Sequence, residues 1–319
     1  MPLIDMPLEQ LKEYRGRNPR PNDFDDFWDR ALAEMRAVEA RFEVIPASFQ
    51  TGFADFYELY FTGIGGARVR AKYARPKNVK EPHPAVVTFH GYSGRGDDWT
   101  GLIQWLSLGF SAASMDCRGQ GGISEDVGGV KGTTFKGHII RGLDDIAEKL
   151  LNRSIYCDCC QIVNIIMNMS EVDGDRVGVA GWSQGGGLTL AAAALEPRVK
   201  KAATFEPFLS DYLRVWEMDL DEGAYEELKY YFKSFDPLHE RHEQVFNRLG
   251  YIDIQHLAKR IRAEVLMGTG LMDRICPPST QFAAYNKIQS KKSVLIYPDF
   301  GHEWPPGHGD RVFNFMSTL

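Results

Sequence analysis

The first strong periodicity in the chain falls at residues 24–42, FDDFWDRALAEMRAVEARF, where Phe24, Phe27, Trp28, Ala31, Leu32 and Met35 recur every three or four positions. That spacing lines one side of a helix with apolar groups and predicts an amphipathic helix packed on the main body. Residues 56–62 and 67–74 then alternate apolar with polar, with Gly63, Gly65 and Gly66 between them. Two strands joined by a turn are expected there. From Pro84 onward the alternation gives way to short apolar runs: Pro84–His90, Ser111–Asp116, Arg176–Ala180, Lys201–Phe205, Glu264–Gly268 and Ser293–Tyr297. Runs of this kind are what strands buried on both faces look like. Helical patterns lie between them, at roughly 98–108, 138–168 and 185–196. Strands and helices in alternation predict an α/β class, with a mostly parallel central sheet and helices on both faces.

Residues 211–262 interrupt the alternation between two core strands, with an aromatic and charged, mostly helical pattern. They are expected to form a cap insertion, and residues 1–50 a helical extension. No repeat, low-complexity tract or linker divides the chain, so a single domain is expected over 1–319. The composition, 44% hydrophobic and 25% charged over 319 residues, can bury a core without disulfides or metal. A net charge of −6 argues against nucleic acid and anionic membranes as main partners and suits a neutral substrate. No apolar run reaches the ~18 residues of a membrane span. Residues 1–10 carry neither the basic nor the apolar region of a secretory leader. Five cysteines, three of them at Cys157, Cys159 and Cys160, are too closely clustered for a disulfide framework. Reduced thiols in a cytoplasm are the expectation.

The candidate chemistry centres on Gly181-Trp182-Ser183-Gln184-Gly185-Gly186, which fits G-x-S-x-G with a strand before it and a helix after it. A strand that turns sharply into a helix leaves little room beside the serine, so glycine is needed at the flanking positions. The free N–H groups of the new helix then point at a developing oxyanion. This is the nucleophile elbow of an α/β-hydrolase, with Ser183 as nucleophile. Such a serine needs a base, and in this fold the order along the chain is serine, acid, histidine. His302 follows the strand Ser293–Tyr297, and Gly301 frees its loop; His308, one loop further on, is the competing candidate. Asp273 follows Glu264–Gly268 and is placed to orient the imidazole; Asp299 competes but shares the histidine's own loop, where it also suits a turn. The oxyanion donors are assigned to the backbone N–H groups of Tyr92, in the loop after His90, and Gln184. The Tyr92 side chain could also narrow the acyl pocket.

No cofactor or metal is expected. The cysteine cluster lacks the second pair of a zinc site, and His239 and His242 lack the glutamate of a metal-binding helix motif. Gly119, Gly121 and Gly122 do not open a helix with a dinucleotide fingerprint, and the glycines of Ser93–Gly96 lack a phosphate-loop lysine.

Taken together, Arg118-Gly119-Gln120, the Gly181–Gly185 elbow and His302-Glu303 resemble the acetyl xylan esterases and cephalosporin C deacetylases. Flanking blocks extend the resemblance: His90-Gly-Tyr with Asp98-Trp99, Arg141–Asp145, Pro207–Asp211, Gly250–His256 and Gly270-Leu-Met-Asp273 through Thr280. The resemblance implies a triad of Ser183, Asp273 and His302 with an oxyanion hole at Tyr92 and Gln184. It implies removal of O-acetyl groups from short acetylated xylo-oligosaccharides and from cephalosporin C, by a cytoplasmic homohexamer whose sites face an internal cavity. Arg118 and Gln120 are expected to brace the loops near the elbow, and Tyr92 and Phe208 to wall the pocket. One position departs from the family pattern: the residue before the nucleophile is often small there, and here it is Trp182. Three rivals stand beside this reading: a general short-chain carboxylesterase, a prolyl-oligopeptidase-like peptidase, and a hydrolase-fold binding module without turnover. The stretch before His90 is too short for the propeller such peptidases carry, and the full set of serine, acid and histidine argues against the binding module.

Overall fold

The structure, a computed structural model, describes residues 4–38, 41–132, 134–220 and 222–319. Its strands are β1 (Phe42–Pro46), β2 (Ala54–Thr62), β3 (Arg68–Pro76), β4 (His83–Phe89), β5 (Ser111–Met115), β6 (Val172–Trp182), β7 (Lys201–Phe205), β8 (Glu264–Gly270) and β9 (Lys292–Tyr297). They form one sheet in the order β1-β2-β3-β5-β4-β6-β7-β8-β9. The pairs from β1 to β5 are antiparallel, and from β5 across β4 to β9 every pair is parallel. This is the mostly parallel α/β-hydrolase sheet expected from the apolar runs. β4, β5 and β7 are buried along their whole length, because helices cover both faces of the parallel part.

The helices are α1 (Leu8–Glu13), α2 (Phe24–Ala37), α3 (Ile103–Leu106), α4 (Leu151–Met167), α5 (Gln184–Leu195), α6 (Tyr212–Glu217), α7 (Glu226–Phe235), α8 (His242–Leu249), α9 (Ile254–Leu257), α10 (Pro278–Tyr285) and α11 (His308–Met316). α2 buries Phe24, Phe27, Trp28, Ala31, Leu32 and Met35, the stripe read from the sequence. It stops at Ala37 rather than continuing to residue 42, because Val38 turns to extended backbone. α5 is buried at every residue, so its small side chains carry no amphipathic pattern.

Three expectations need correction. The extension over 1–50 is not wholly helical, since β1 lies within it; all five β1 residues are exposed at the sheet edge, so no alternation marks the strand. The helix expected over 138–168 is shorter, and 138–149 consists of turns with a 3-10 segment at Ala147–Lys149. Two causes are visible. The Glu227 carboxylate accepts the N–H groups of His138, Ile139 and Ile140 at 2.8–3.2 Å. Gly142, at φ 88°, lies so close to the Lys149 carbonyl that a Cβ would come within 2.2 Å of it. Finally, β6 starts at Val172, ahead of the apolar run.

The segment between β7 and β8 is helical, as expected, with α6 to α9 in it. A strap from the N-terminus crosses its root. Asp211, buried at the start of α6, accepts the Tyr14 hydroxyl and the backbone N–H groups of Arg17 and Asn18 at 2.7–2.9 Å. Asp5 binds both Arg214 on α6 and the Ser279 N–H on α10.

Candidate active site

The elbow follows from the chain's local geometry. β6 ends at Trp182 and α5 begins at Gln184, so the one residue between them must reverse the chain. Ser183 does so at φ 58°, ψ −120°, a strained conformation for a residue with a side chain. A Cβ on Gly185 would fall 2.0 Å from the Phe89 carbonyl oxygen, and one on Gly181 would fall 2.4 Å from Gly185. The strain is held by hydrogen bonds from Ser183 N to Phe205 O (2.9 Å), Gly187 N to Ser183 O (3.0 Å) and Phe208 N to Ser183 O (3.0 Å).

Three strand ends then meet. Asp273 follows β8 and His302 follows β9. His302 Nε2 lies 3.0 Å from the Ser183 hydroxyl, and its Nδ1 lies 2.8 Å from Asp273 Oδ2. With Nδ1–H donating to the carboxylate, Nε2 is free to accept the serine proton. Asp273 is fully buried, and its Oδ1 accepts the N–H groups of Ile275 and Cys276 at 2.8 Å each. The structure brings Ser183, Asp273 and His302 together and leaves the competitors outside. His308 is buried with Nδ1 against the Tyr297 hydroxyl (2.9 Å) and its ring on Phe205, and burial lowers its pKa to about 4. Asp299 is exposed.

Opposite the imidazole, the loops after β4 and β5 meet the start of α5. Gln120 is buried and its amide joins all three. Its Oε1 accepts Ser93 N (3.0 Å), and its side chain pairs with that of Gln184 at 2.9–3.0 Å. His90 fixes the same loop, through Nδ1 to Gly91 O (2.7 Å) and Cys117 N to its Nε2 (3.0 Å). The residues proposed to donate to an oxyanion, Tyr92 and Gln184, therefore sit directly beside groups that Gln120 clamps. The Tyr92 ring meets His138 and Phe208 edge-on, at 5.0 and 5.7 Å between centroids. Phe208 is fully buried and Tyr92 half-buried.

Arg118 anchors the loop after β5 to α4 and to Ile64 and does not touch the elbow serine. Its guanidinium makes two 2.7 Å bonds to Asp158 on α4 and one of 2.9 Å to Ile64 O, all out of solvent. A buried carboxylate that matches the guanidinium fork draws it to α4, away from the serine.

Two neighbours of His302 add to the triad: Trp182, singled out in the sequence only as a departure from the family pattern, and Glu206, which sequence reasoning missed. The Trp182 indole tilts against the imidazole at 5.4 Å between centroids and donates its N–H to Glu206 Oε2 at 2.9 Å. Glu206 itself is fully buried, with Oε2 3.3 Å from His302 Nδ1. The available signal was its place directly after β7, the strand beside the elbow strand. Asp273, Cys276 and His302 set ligand atoms within 4.8 Å of one another, a spacing a metal ion could use. The same carboxylate and imidazole are engaged with each other, and burial pushes the Cys276 thiol well up, toward its protonated, weakly ligating form. A cavity of about 380 Å³ lies at the end of the elbow strand, lined by His90, Gly181, Trp182, Phe205, Trp304 and His308 among others. Ser183, Asp273 and His302 do not line it.

Comparison with known proteins gives this geometry its context. The chain is 57% identical to acetyl xylan esterase 1 from Thermoanaerobacterium sp. JW/SL YS485, over 99% of both chains, and superposes with a TM-score of 0.96. It is 36% identical to an acetyl xylan esterase from Paenibacillus sp. R4, over 98% of this chain and all of that one, with a TM-score of 0.92. A curated relative, the acetyl esterase Axe7A of Xylanibacter ruminicola, is 28% identical over 298 residues, 91% of this chain. The chain spans 64% of that relative's length, less than two thirds. The family model for acetyl xylan esterase (AXE1) matches residues 1–319. The chain belongs to the acetyl xylan esterase family.

Proposed function

We propose that this protein is a serine esterase that removes O-acetyl groups from short acetylated xylo-oligosaccharides, and from the acetoxy position of cephalosporin C. The observation that carries the reading is the relay from Ser183 Oγ to His302 Nε2 (3.0 Å) and from His302 Nδ1 to Asp273 (2.8 Å). In the proposed reaction Ser183 attacks the acetyl carbonyl while His302 takes its proton. The Tyr92 and Gln184 N–H groups hold the tetrahedral oxyanion. His302 then protonates the departing sugar oxygen and leaves an acetyl-enzyme, which a water activated by His302 hydrolyses to acetate. Tyr92 and Phe208 form the acyl wall in this reading.

The test is the initial rate on p-nitrophenyl acetate, butyrate and octanoate, for wild type and Ser183→Ala. We expect a strong preference for acetate and a loss of at least ten-thousand-fold on Ser183→Ala. Faster turnover of the longer esters would make the protein a general carboxylesterase. An unchanged rate in Ser183→Ala would remove the serine mechanism altogether.

The assembly proposed is a homohexamer. The loop after β5 supports it, because it exposes Ile123, Val127, Val130 and Phe135, an apolar set that a second subunit would cover. Sedimentation velocity should give a single species of six chains, and a monomer would overturn the proposal. A reducing compartment such as the cytoplasm fits the five cysteines, all of them unpaired and buried. Among the described residues no helix is long and apolar enough to cross a membrane.

A further inference from the structure

His302 Nδ1 faces two carboxyl groups. Asp273 Oδ2 is 2.8 Å away and Glu206 Oε2 is 3.3 Å away, and both side chains are fully buried. They arrive from different strands, Asp273 after β8 and Glu206 after β7. Glu206 is held deliberately: its backbone takes φ 44°, its N–H donates to Gly268 O at 3.0 Å, and its Oε2 accepts the Trp182 indole N–H. The same indole lies on the face of His302. The other oxygen of Glu206, Oε1, faces the Gly270 N–H but makes no hydrogen bond of full geometry among the described residues. Burying an acid whose oxygens are only partly satisfied costs native stability, so its presence beside His302 calls for a role.

We propose that Glu206 is a positioning residue for the acyl transfer: its Oε2, fixed by the Trp182 indole, is a second acceptor for the His302 Nδ1–H and takes over that role when Asp273 is lost. The inference rests on the triad reading above. The titratable groups around Glu206 are Asp273 and Cys276 from the β8–α10 segment, and His302 and Glu303 from the loop after β9. Burial first, and then the Asp273 charge, push the Glu206 carboxyl up to about 9, while the Trp182 hydrogen bond works the other way. Near neutrality the proton therefore stays on Glu206. Two carboxyls this close to one ring cannot both ionise readily. Replacing Asp273 by a neutral amide removes the second largest cause of that rise. Glu206 then ionises at lower pH and presents a carboxylate to Nδ1, which restores the tautomer that accepts the serine proton.

The experiment is kcat/KM on p-nitrophenyl acetate from pH 6 to 10 for wild type, Glu206→Gln, Asp273→Asn and the double variant, with Ser183→Ala alongside. Asp273→Asn should lose about a hundredfold at pH 7 and regain part of that loss toward pH 9, where Glu206 is ionised. The double variant should lose about ten-thousand-fold or more, as expected where no carboxylate orients the imidazole, with no recovery at alkaline pH. Glu206→Gln alone, which keeps the oxygen that accepts from Trp182, should lose less than tenfold. The same fold-loss from Glu206→Gln in both backgrounds would mean a merely structural role and overturn the proposal. Should the glutamine variants fail to fold, the Asp273→Asn profile decides by itself, since an absence of recovery between pH 7 and 9 is equally fatal. A Ser183→Ala enzyme that keeps its rate would instead sink the triad reading, whatever Glu206 does.

Discussion

The two sides of Ser183 are built from opposite chemistry. On the His302 side, the ends of β7 and β8 bring two buried carboxyls, Glu206 and Asp273, to within 3.3 Å of one nitrogen. On the other side, the loops after β4 and β5 meet α5 through neutral amides, Gln120 and Gln184; Arg118 is turned away into an ion pair with Asp158, and the Asp116 carboxylate engages the same loops farther along, at the Gly96 and Ile123 N–H groups. The difference fits the charges of the proposed acyl transfer. In that reaction positive charge develops on the imidazole, where the Asp273 carboxylate stabilises it, and negative charge develops on the substrate oxygen, where a nearby carboxylate would oppose it. Amides hold those loops in place without adding a net charge, which leaves the backbone N–H groups and the N-terminus of α5 to supply the stabilisation in the proposed reaction.

The comparison can be broken in several ways. The largest expected effect is on stability. Arg118→Ala leaves Asp158 buried with no partner, and the loss should be about 3–5 kcal/mol in chemical denaturation. If the two sides are as separate as described, kcat at a temperature where the variant is folded should stay within about threefold of wild type, as expected for a residue that makes no transition-state contact. A larger fall in kcat would mean that Arg118 acts on the elbow after all. Next is Gln120→Glu, which keeps the size of the side chain and puts a carboxyl on the oxyanion side. We expect kcat to fall by about a hundredfold or more at pH 8, with KM little changed, comparable to removing an oxyanion donor. The smaller effect is Gln120→Leu, which removes the clamp and adds no charge; kcat should fall about tenfold, from looser placement alone. Equal losses in the two Gln120 variants would show that position matters there and charge does not.

Legibility in the sequence followed how local each feature is. The elbow could be read because strand, glycines, serine and helix are contiguous, and the strand ends carrying Asp273 and His302 could be read from chain order. β1 could not, because an edge strand with every residue exposed has no alternation to show. The turns at 138–149 were hidden because the group that reorganises them, Glu227, lies nearly ninety positions away. Glu206 was missed for a related reason. Its relation to His302 depends on β7 lying between β6 and β8 in the sheet, and no spacing along the chain encodes that order. The Gln120–Gln184 pair was half visible: a brace was expected from Gln120, but its partner is set by the fold.

The strap formed by Asp5, Tyr14, Arg17 and Asn18 has an evolutionary consequence. It ties the first residues of the chain to the root of the helical insertion and to α10. An ancestor that gained the insertion without the strap would have left Asp211, a fully buried carboxyl, without three of its donors. The leading segment and the helical insertion are thus coupled in stability. Lineages that shorten one should have lost or rebuilt the other, and grafting the insertion onto a different hydrolase would require the leading segment to travel with it.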